Sequence, residues 1–293
     1  MWEEIEQQIS RATDTPFTIE RRRSVGGGCI NSAFRLDGDT ASYFVKTNSA
    51  EGLEMFAAEA EGLAAMAATG SVRVPRPICR GVSQGQAWLA MEYIEFGCDG
   101  AQMAERLGRQ LARMHGERAE GFGWHRDNTI GSTPQRNTPS YDDWPDFWRE
   151  QRLGPQLTLA ARNGFGGALQ RKGERLMADL DALFEGHRPQ PSLLHGDLWG
   201  GNRAADAEGN PVIFDPAVYY GDRETDIAMT ELFGGFSPAF HAAYNEAWPL
   251  DAGYRQRREL YNLYHILNHA NLFGGGYAMQ AESMMDRLLS AVR

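Results

Sequence analysis

The chain has 293 residues and a formal net charge of −10 at pH 7, with 42% hydrophobic and 23% charged residues. This size and composition are typical of a globular protein with a sizeable core, and no apolar run approaches the roughly 20 residues that span a bilayer. The acidic balance argues against a nucleic-acid partner and suits a cationic small molecule. An acidic N-terminus and three cysteines without metal-type spacing lead us to expect a cytoplasmic protein.

The first element with chemical meaning is a glycine-rich turn between two strand-like runs, residues 17–21 and 32–36. Its candidate phosphate-binding residues are Gly26, Gly27, Gly28, Cys29 and Asn31. Adjacent glycines let the backbone approach a phosphate and direct amides toward it. By itself such a hairpin is more often only a turn, and no Gly-Lys-Ser or Gly-Lys-Thr follows, so the segment is not a Walker A loop.

The next run, residues 41–46, reads as a buried strand that ends at Lys46. Lysine is rare in this chain, since only Lys46 and Lys172 occur. A compact ammonium on a buried strand can sit as a point charge between phosphates. The alternative is a strand-edge lysine whose amine reaches water.

Apolar residues at helical spacing follow over residues 51–66. This helix carries Glu59 and Glu61, and either carboxylate could pair with Lys46 and fix its position. We favour Glu59 for its place on the helix. Both glutamates could instead be solvated helix charges.

Two further strand-like runs, residues 78–82 and 87–94, flank a tight turn. The second run enters a glycine-containing connector, which is typical of a hinge between two lobes. Main-chain groups of Glu92, Tyr93 and Ile94 are predicted to hydrogen-bond a nucleotide base there. We therefore divide the chain into a nucleotide-binding lobe, residues 1–94, and a mostly helical catalytic lobe, residues 95–293.

The most informative motif begins at His195 and Gly196, which precede Asp197. Asn202 lies five positions beyond Asp197, and Asp215 lies thirteen beyond Asn202. This spacing matches the catalytic loop of kinases. Phosphoryl transfer needs one carboxylate to orient the hydroxyl and accept its proton, and an amide oxygen and a second carboxylate to hold magnesium. The motif predicts Asp197 as the catalytic base, Asn202 and Asp215 as metal ligands, and ATP and Mg²⁺ as cofactors.

Trp199 lies inside this loop, two residues after Asp197. Its ring could stack on a sugar face or an amine of the substrate. It could equally pack against the helical lobe, and the sequence leaves both roles open.

Cys29 is a redox candidate, because amides of the glycine turn and Lys46 would favour its thiolate. Oxidation, including a Cys29–Cys29 link between two chains, would then displace the turn and weaken ATP binding. The alternative is a small residue that fits a crowded turn and never reacts. Cys79 and Cys98 are predicted to be buried.

Together these motifs resemble the fructosamine-3-kinase (ketosamine-3-kinase) family, within the aminoglycoside-phosphotransferase-like and protein-kinase-like fold. The runs that carry the resemblance are residues 26–31, 56–63, 195–202 and 214–226. The resemblance implies an α+β bilobal fold, with an N-terminal antiparallel sheet lobe containing one main helix and a mostly helical C-terminal lobe. It also implies that Asp226 is structural and ties the catalytic loop in place.

The activity implied by the resemblance is ATP-dependent phosphorylation of the 3-hydroxyl of a ketosamine, free or protein-bound, in deglycation. Two alternatives stay open. The acceptor could be another small hydroxylated amine, such as an aminoglycoside or choline, or the chain could be a catalytically silent kinase-like binding module. The expected state is a monomer or a Cys29-linked homodimer.

Overall fold

A computed structural model describes residues 1–26 and 30–292 of the chain. Its N-terminal lobe is built on five strands: β1 (Arg21–Val25), β2 (Ser32–Asp37), β3 (Ser42–Ser49), β4 (Pro77–Ser83) and β5 (Gln86–Glu92). They form one antiparallel sheet in the order β1-β2-β3-β5-β4. Gln84 and Gly85 join β4 to β5 with positive φ angles of 53° and 75°, which is the backbone of the predicted tight hairpin.

Side-chain alternation gives this sheet two different faces. Val45 and Trp88 point to the face covered by α1 (Trp2–Thr13), where they meet Ile5 and Ile9. Residues one position along point to the opposite face, where Leu89 packs on α2 (Leu53–Ala68). Lys46 pairs directly with Leu89 across β3 and β5, so its side chain is on the α2 face.

The C-terminal lobe is mostly helical, as predicted. Its helices are α3 (Ala101–His115), α4 (Trp144–Phe147), α5 (Gly154–Arg162), α6 (Ala168–Ala178), α7 (Glu224–Leu232), α8 (Pro238–Ala247), α9 (Tyr254–Phe273) and α10 (Gly276–Ala291). Short strands form three two-stranded ladders: β6 (Asn128–Ile130) with β7 (Thr133–Gln135), β8 (Ser192–Leu194) with β11 (Tyr219–Gly221), and β9 (Arg203–Ala205) with β10 (Pro211–Ile213). The predicted bilobal α+β fold is therefore confirmed.

Two details of the N-terminal lobe differ from the sequence prediction. The first strand is Arg21–Val25 rather than residues 17–21, and helix α1 was not predicted at all. Both misses have the same cause, because these segments bury few side chains. The strand is exposed along nearly its whole length, and the only fully buried residues of α1 are Ile5 and Ile9.

One hydrophobic cluster joins the two lobes. Phe56 and Leu63 of α2 pack in it together with Leu198, Ile213 and Val218 of the catalytic lobe. A second large cluster lies within the helical lobe, between α4, α5, α6, α9 and α10. The shared core fixes the position of α2 on the catalytic lobe, while the division of the chain after Ile94 stays a prediction.

A buried polar network stabilises the base of the helical lobe. His187 hydrogen-bonds Asp222 through Nε2 at 2.7 Å and Asp251 through Nδ1 at 2.8 Å. Glu224 accepts two hydrogen bonds from Arg257, at 2.7 and 3.0 Å. His187, Asp222 and Glu224 are close enough to share a cation, but each already has protein partners, so we assign them a structural role. In the described part of the chain, no helix combines the length and apolarity needed to cross a membrane.

Candidate active site

The imidazole of His195, the residue after β8, holds the catalytic loop in place. The imidazole of His195 is fully buried, and burial lowers its pKa below the ordinary histidine value. Its Nε2 hydrogen donates to the carbonyl of Phe214 at 2.9 Å, and its Nδ1 accepts from the amide of Asp197 at 3.2 Å. These two contacts fix one neutral tautomer and connect the Asp197 loop to the residue before Asp215.

Asp226 of α7 anchors the same loop. Its carboxylate accepts from the amides of His195 at 2.7 Å and Gly196 at 2.9 Å, and it contacts Nε2 of His115 at 3.1 Å. Burial alone would raise the pKa of Asp226, but His115 and the donated hydrogen bonds hold it below the ordinary value. These contacts agree with the structural role that the resemblance implied.

Gly196 stands where protein kinases carry arginine, and the structure explains the glycine. Its φ is +83°, in the left-handed region, and an added Cβ would lie 2.1 Å from the carbonyl oxygen of Ala217. A residue with a side chain would therefore meet both strain and a collision. Glycine lets the catalytic loop lie directly on the segment that follows Asp215.

Asn202 brings the two predicted acidic groups together. Its Nδ2 donates to the carbonyl of Asp197 at 2.9 Å, to Oδ2 of Asp197 at 3.3 Å and to the carbonyl of Asp215 at 3.4 Å. Among the described residues, Oδ1 of Asn202 and Oδ2 of Asp215 make no hydrogen bond. An amide oxygen and a carboxylate oxygen are the ligands that Mg²⁺ prefers, so the donor set fits this cation.

Lys46 lies between two carboxylates. Its Nζ is 2.6 Å from Oε1 of Glu59 and 2.6 Å from Oδ1 of Asp215. Burial opposes the charge on Lys46, but the charges of Glu59 and Asp215 raise its pKa above the ordinary lysine value. Glu61 turns the other way on α2 and contacts His125 and Arg126. Of the two glutamates that the sequence offered, Glu59 is the one in contact with Lys46.

The carboxyl of Asp197 has a strongly perturbed pKa. Burial and the nearby charge of Asp215 raise the pKa of Asp197 from 3.8 to about 7, although Asn202 acts in the opposite direction. A carboxylate with a pKa near neutrality in a cleft is typical of a general base. Asp215 itself adopts φ 58°, an uncommon left-handed backbone for a residue with a side chain, and its side chain is 46% exposed to the cleft.

The connector after β5 offers fewer base-binding groups than the sequence suggested. The amide of Glu92 donates to the carbonyl of Arg76 at 2.8 Å, and the Glu92 carboxylate pairs with Arg73 at 2.8 Å. The sheet therefore occupies the Glu92 amide, which corrects the expectation for that group. Within the described part of the chain, the amide and carbonyl of Ile94 make no hydrogen bond and remain free for a base.

An aromatic pair borders this connector. Phe96 stacks on Phe214, with ring centroids 5.5 Å apart and planes 18° from parallel. Phe96 is exposed and Phe214 is partly buried, so the pair lies where the connector meets the residue before Asp215. The sequence prediction did not include it, because nothing in either segment indicates that the two rings meet.

Trp199 is 40% exposed and folds over its own loop. Atoms of its indole lie 2.2–2.7 Å from the position that a Cβ on Gly201 would occupy, so glycine is required beneath the ring. A Cβ on the neighbouring Gly200 would lie 2.8 Å from the carbonyl oxygen of Gly234 and 3.0 Å from the Cα of Gly235. Gly234 and Gly235 thus help to position the catalytic loop. The sequence indicated this contact only by the presence of a second Gly-Gly pair.

The predicted phosphate-binding turn is described only in part. Gly27, Gly28 and Cys29 lie outside the described residues, so their proposed roles stay predictions. Among the described residues, no atom lies within 4 Å of the position that a Cβ on Gly26 would occupy, and Oδ1 of Asn31 accepts from Asn48 at 2.7 Å.

The other two cysteines differ from the prediction that both are buried. Cys98 is exposed, and Cys79 is partly buried. Burial raises the pKa of the Cys79 thiol to about 11, so this thiol is protonated at neutral pH. Cys98 lies in the short glycine-containing connector after β5, where its side chain is exposed.

Comparison with known proteins gives a consistent result. The family model described as Fructosamine kinase matches residues 1–291. A probable ketoamine kinase of Synechocystis sp. is 51% identical over 98% of this chain and 97% of its own length. The chloroplastic protein-ribulosamine 3-kinase of Arabidopsis thaliana is 49% identical over 94% of this chain and 84% of its own length.

Among solved structures, a candidate fructosamine-3-kinase from Haemophilus somnus superimposes with a TM-score of 0.91. It is 29% identical in sequence, and the match covers 99% of this chain and 98% of that protein. The likeness therefore extends through both lobes.

Proposed function

The chain belongs to the fructosamine kinase family and is a kinase, and we propose that it transfers the γ-phosphoryl group of ATP to the 3-hydroxyl of a ketosamine. The observation that carries the proposal is the meeting of Lys46, Glu59 and Asp215 beside Asp197 and Asn202. The names of the two relatives, a ketoamine kinase and a ribulosamine 3-kinase, support the choice of acceptor.

In this proposal Asp197 orients the acceptor hydroxyl and takes its proton. The hydroxyl oxygen forms a bond to the γ-phosphorus as the bond to the bridging oxygen breaks, and ADP leaves. The raised pKa of Asp197, about 7, suits proton acceptance near neutral pH. The phosphorylated adduct would then lose inorganic phosphate by β-elimination, and water would hydrolyse the resulting imine, which releases the amine from the sugar.

The phosphates would be held by residues from both lobes. Lys46, positioned by Glu59, is a cation for the phosphate oxygens, and the turn from Gly26 to Gly28 supplies amides. Asn202 and Asp215 would hold Mg²⁺ through Oδ1 and Oδ2, respectively, which make no hydrogen bond within the described part of the chain. The cation would neutralise charge on the transferred group.

The adenine base would lie against the connector between the lobes. The amide and carbonyl of Ile94, which make no hydrogen bond among the described residues, and the main chain of Tyr93 would hydrogen-bond the purine edge. Trp199, next to Asp197 and partly exposed, would contact the acceptor sugar or its amine.

An ATP-consumption assay over three acceptor classes tests the proposed function. A ketosamine such as a fructose or ribulose adduct of lysine should show a higher kcat/KM than an aminoglycoside or choline. A higher value for either of the latter would overturn the choice of acceptor and leave the kinase assignment in place. No consumption with any acceptor would instead favour a silent binding module.

We extend the proposal to the redox behaviour of Cys29. Oxidation of its thiol, to a sulfenic acid or to a disulfide between two chains, should inhibit the kinase reversibly. Activity after mild peroxide and again after dithiothreitol would be compared in the wild type, Cys29→Ser and Cys98→Ser. Cys98 is a suitable control because it is exposed. Equal peroxide sensitivity of the wild type and Cys29→Ser would contradict the proposal.

A further inference from the structure

Helix α2, which carries Glu59, is tied to the catalytic lobe by charged side chains that the proposed mechanism does not use. Arg126 donates to Glu54 at 2.7 Å and to Glu61 at 3.0 Å, and His125 also contacts Glu61. We call these four residues, Glu54, Glu61, His125 and Arg126, the Arg126 cluster. It joins two positions of α2 that are seven residues, or about two helical turns, apart to a segment of the other lobe.

The backbone that presents Arg126 is itself fixed. Asn137 donates from Nδ2 to the carbonyl of Arg126 at 3.2 Å. The carboxylate of Asp127 accepts from the amides of Asn137 at 2.7 Å and Thr138 at 3.1 Å. These hydrogen bonds fix the backbone of the loop that carries Arg126.

The same loop is bound to the segment that follows Asp215. Asn128 donates to the carbonyl of Val218 at 2.8 Å, and Gln135 donates to the carbonyl of Ala217 at 3.2 Å. Val218 in turn packs on α2, since a Cβ on Gly62 would lie 2.8 Å from its methyl group. The segment after Asp215, the Arg126 loop and α2 thus contact one another in a ring.

The Glu59–Lys46 pair depends on the position of α2. The side chains of Lys46 and Glu59 are only 8% and 10% exposed. A shift of α2 that separated them would leave the buried carboxylate of Glu59 without its partner, which is strongly unfavourable, and would leave Lys46 paired with Asp215 alone. Packing through Gly62 fixes how closely α2 approaches the catalytic lobe, whereas the fork of Arg126 to Glu54 and Glu61 resists rotation about the helix axis.

We propose that Arg126 is a positioning residue for nucleotide binding, which fixes the rotation of α2 so that Glu59 holds Lys46 at the phosphate site. The proposal rests on the proposed role of Lys46 and Glu59. Arg126 contacts Glu54 and Glu61 and not the Lys46–Glu59 pair, so it acts on that pair through α2. Its removal should therefore change the dependence of the rate on ATP, and leave the KM for the ketosamine unchanged.

The variant for the test is Arg126→Gln, and the chain offers a matched control in Arg149→Gln. Arg149 also bridges two carboxylates, Asp146 and Asp181. Its side chain is 25% exposed, close to the 27% of Arg126, but all three residues of the control lie within the catalytic lobe. We expect the KM for ATP to rise about fivefold in Arg126→Gln, an effect of the size seen for residues that couple sites. The control should stay within about twofold, as for ordinary surface pairs.

A double-mutant cycle with Glu59→Gln tests whether Arg126 acts through Glu59. If it does, Arg126→Gln should have almost no further effect on the KM for ATP once Glu59 is replaced. An equal rise in the KM with and without Glu59 would overturn the proposal. So would an unchanged KM in the single variant, or the same rise in Arg149→Gln. Arg126→Lys, which keeps the charge without the fork, should fall between wild type and Arg126→Gln.

Nucleotide binding separates this proposal from the proposed function. The affinity of each variant for the ATP analogue AMP-PNP with Mg²⁺ would be measured without any acceptor. If the wild type phosphorylated no ketosamine, the proposed acceptor would be wrong, yet weaker binding in Arg126→Gln than in Arg149→Gln would still support the positioning role. Equal binding in these two variants would refute it. Thermal melting of each variant verifies that the fold is retained.

Discussion

We expect the carboxyl of Asp197 to lower the free energy of unfolding, although the proposed activity requires it. Its carboxyl lies in a partly buried position near the charge of Asp215, and these surroundings raise its pKa from 3.8 to about 7. Ionised Asp197 is thus disfavoured in the folded chain relative to the unfolded one. Replacement by asparagine, which has nearly the same shape and no charge, removes this penalty.

The pKa gives the size and the pH dependence of the effect. A rise from 3.8 to about 7 corresponds to a ceiling of roughly 4 kcal/mol in the free energy of unfolding. The side chain is partly exposed to the cleft, so screening by water should reduce the gain to about 1–2 kcal/mol. Because the folded pKa is the higher one, the penalty is absent below the unfolded pKa. It grows between pH 4 and 7 and is complete above the folded pKa.

The assay is urea unfolding of wild type and Asp197→Asn in EDTA, at pH values from 5 to 8. The variant should become more stable relative to wild type as pH rises, and its melting temperature should exceed that of wild type by about 2–6 °C at pH 8. Turnover should fall by at least about a hundredfold, since the amide accepts no proton, while ATP binding stays largely intact.

Two results would refute this reasoning. If Asp197→Asn were no more stable than wild type at pH 8, the carboxylate would not carry the electrostatic penalty deduced from its surroundings. Turnover within about tenfold of wild type would show that Asp197 is not the base.

Three further predictions concern Asp215, Gly196 and His187. Asp215→Ala should lose the Mg²⁺ dependence of ATP affinity, measured by titration with and without the cation; retained dependence would move the metal site elsewhere. Gly196→Ala should lose about 2–4 kcal/mol in urea unfolding, through strain and collision, whereas Gly186→Ala, with φ +74° and open space, should lose only about 1 kcal/mol. Burial opposes protonation of His187, but Asp222 raises its pKa, so its stabilisation is complete below about pH 6.5 and is lost as pH rises through the folded pKa. The difference in unfolding free energy between wild type and His187→Gln should therefore narrow from pH 6 to pH 9, and a constant difference would contradict the assignment.

The sequence predicted the catalytic segments well because their chemistry is local. Asp197 and Asn202 are five residues apart in one loop, so spacing alone indicated their association. The mostly helical character of the second lobe was likewise predicted, and α9 and α10 each bury a long periodic face.

The misses were of two physical kinds. Segments that bury little, such as β1 and α1, were missed, and β1 exists through backbone pairing with β2. Contacts between segments far apart in the sequence could not be predicted either. The ion pair of Glu61 with Arg126 joins residues 65 apart, and the single sequence gave no sign that these two side chains meet.

The open edge of the N-terminal sheet carries three consecutive arginines, Arg21 to Arg23, on β1, and all three are exposed. A free strand edge is a template on which a second molecule can add its own strand, and the usual outcome is aggregation. Two such edges approaching each other would bring arginine against arginine, and the like charges would repel them. The charge on β1 therefore disfavours pairing of this edge with the same edge of a second copy.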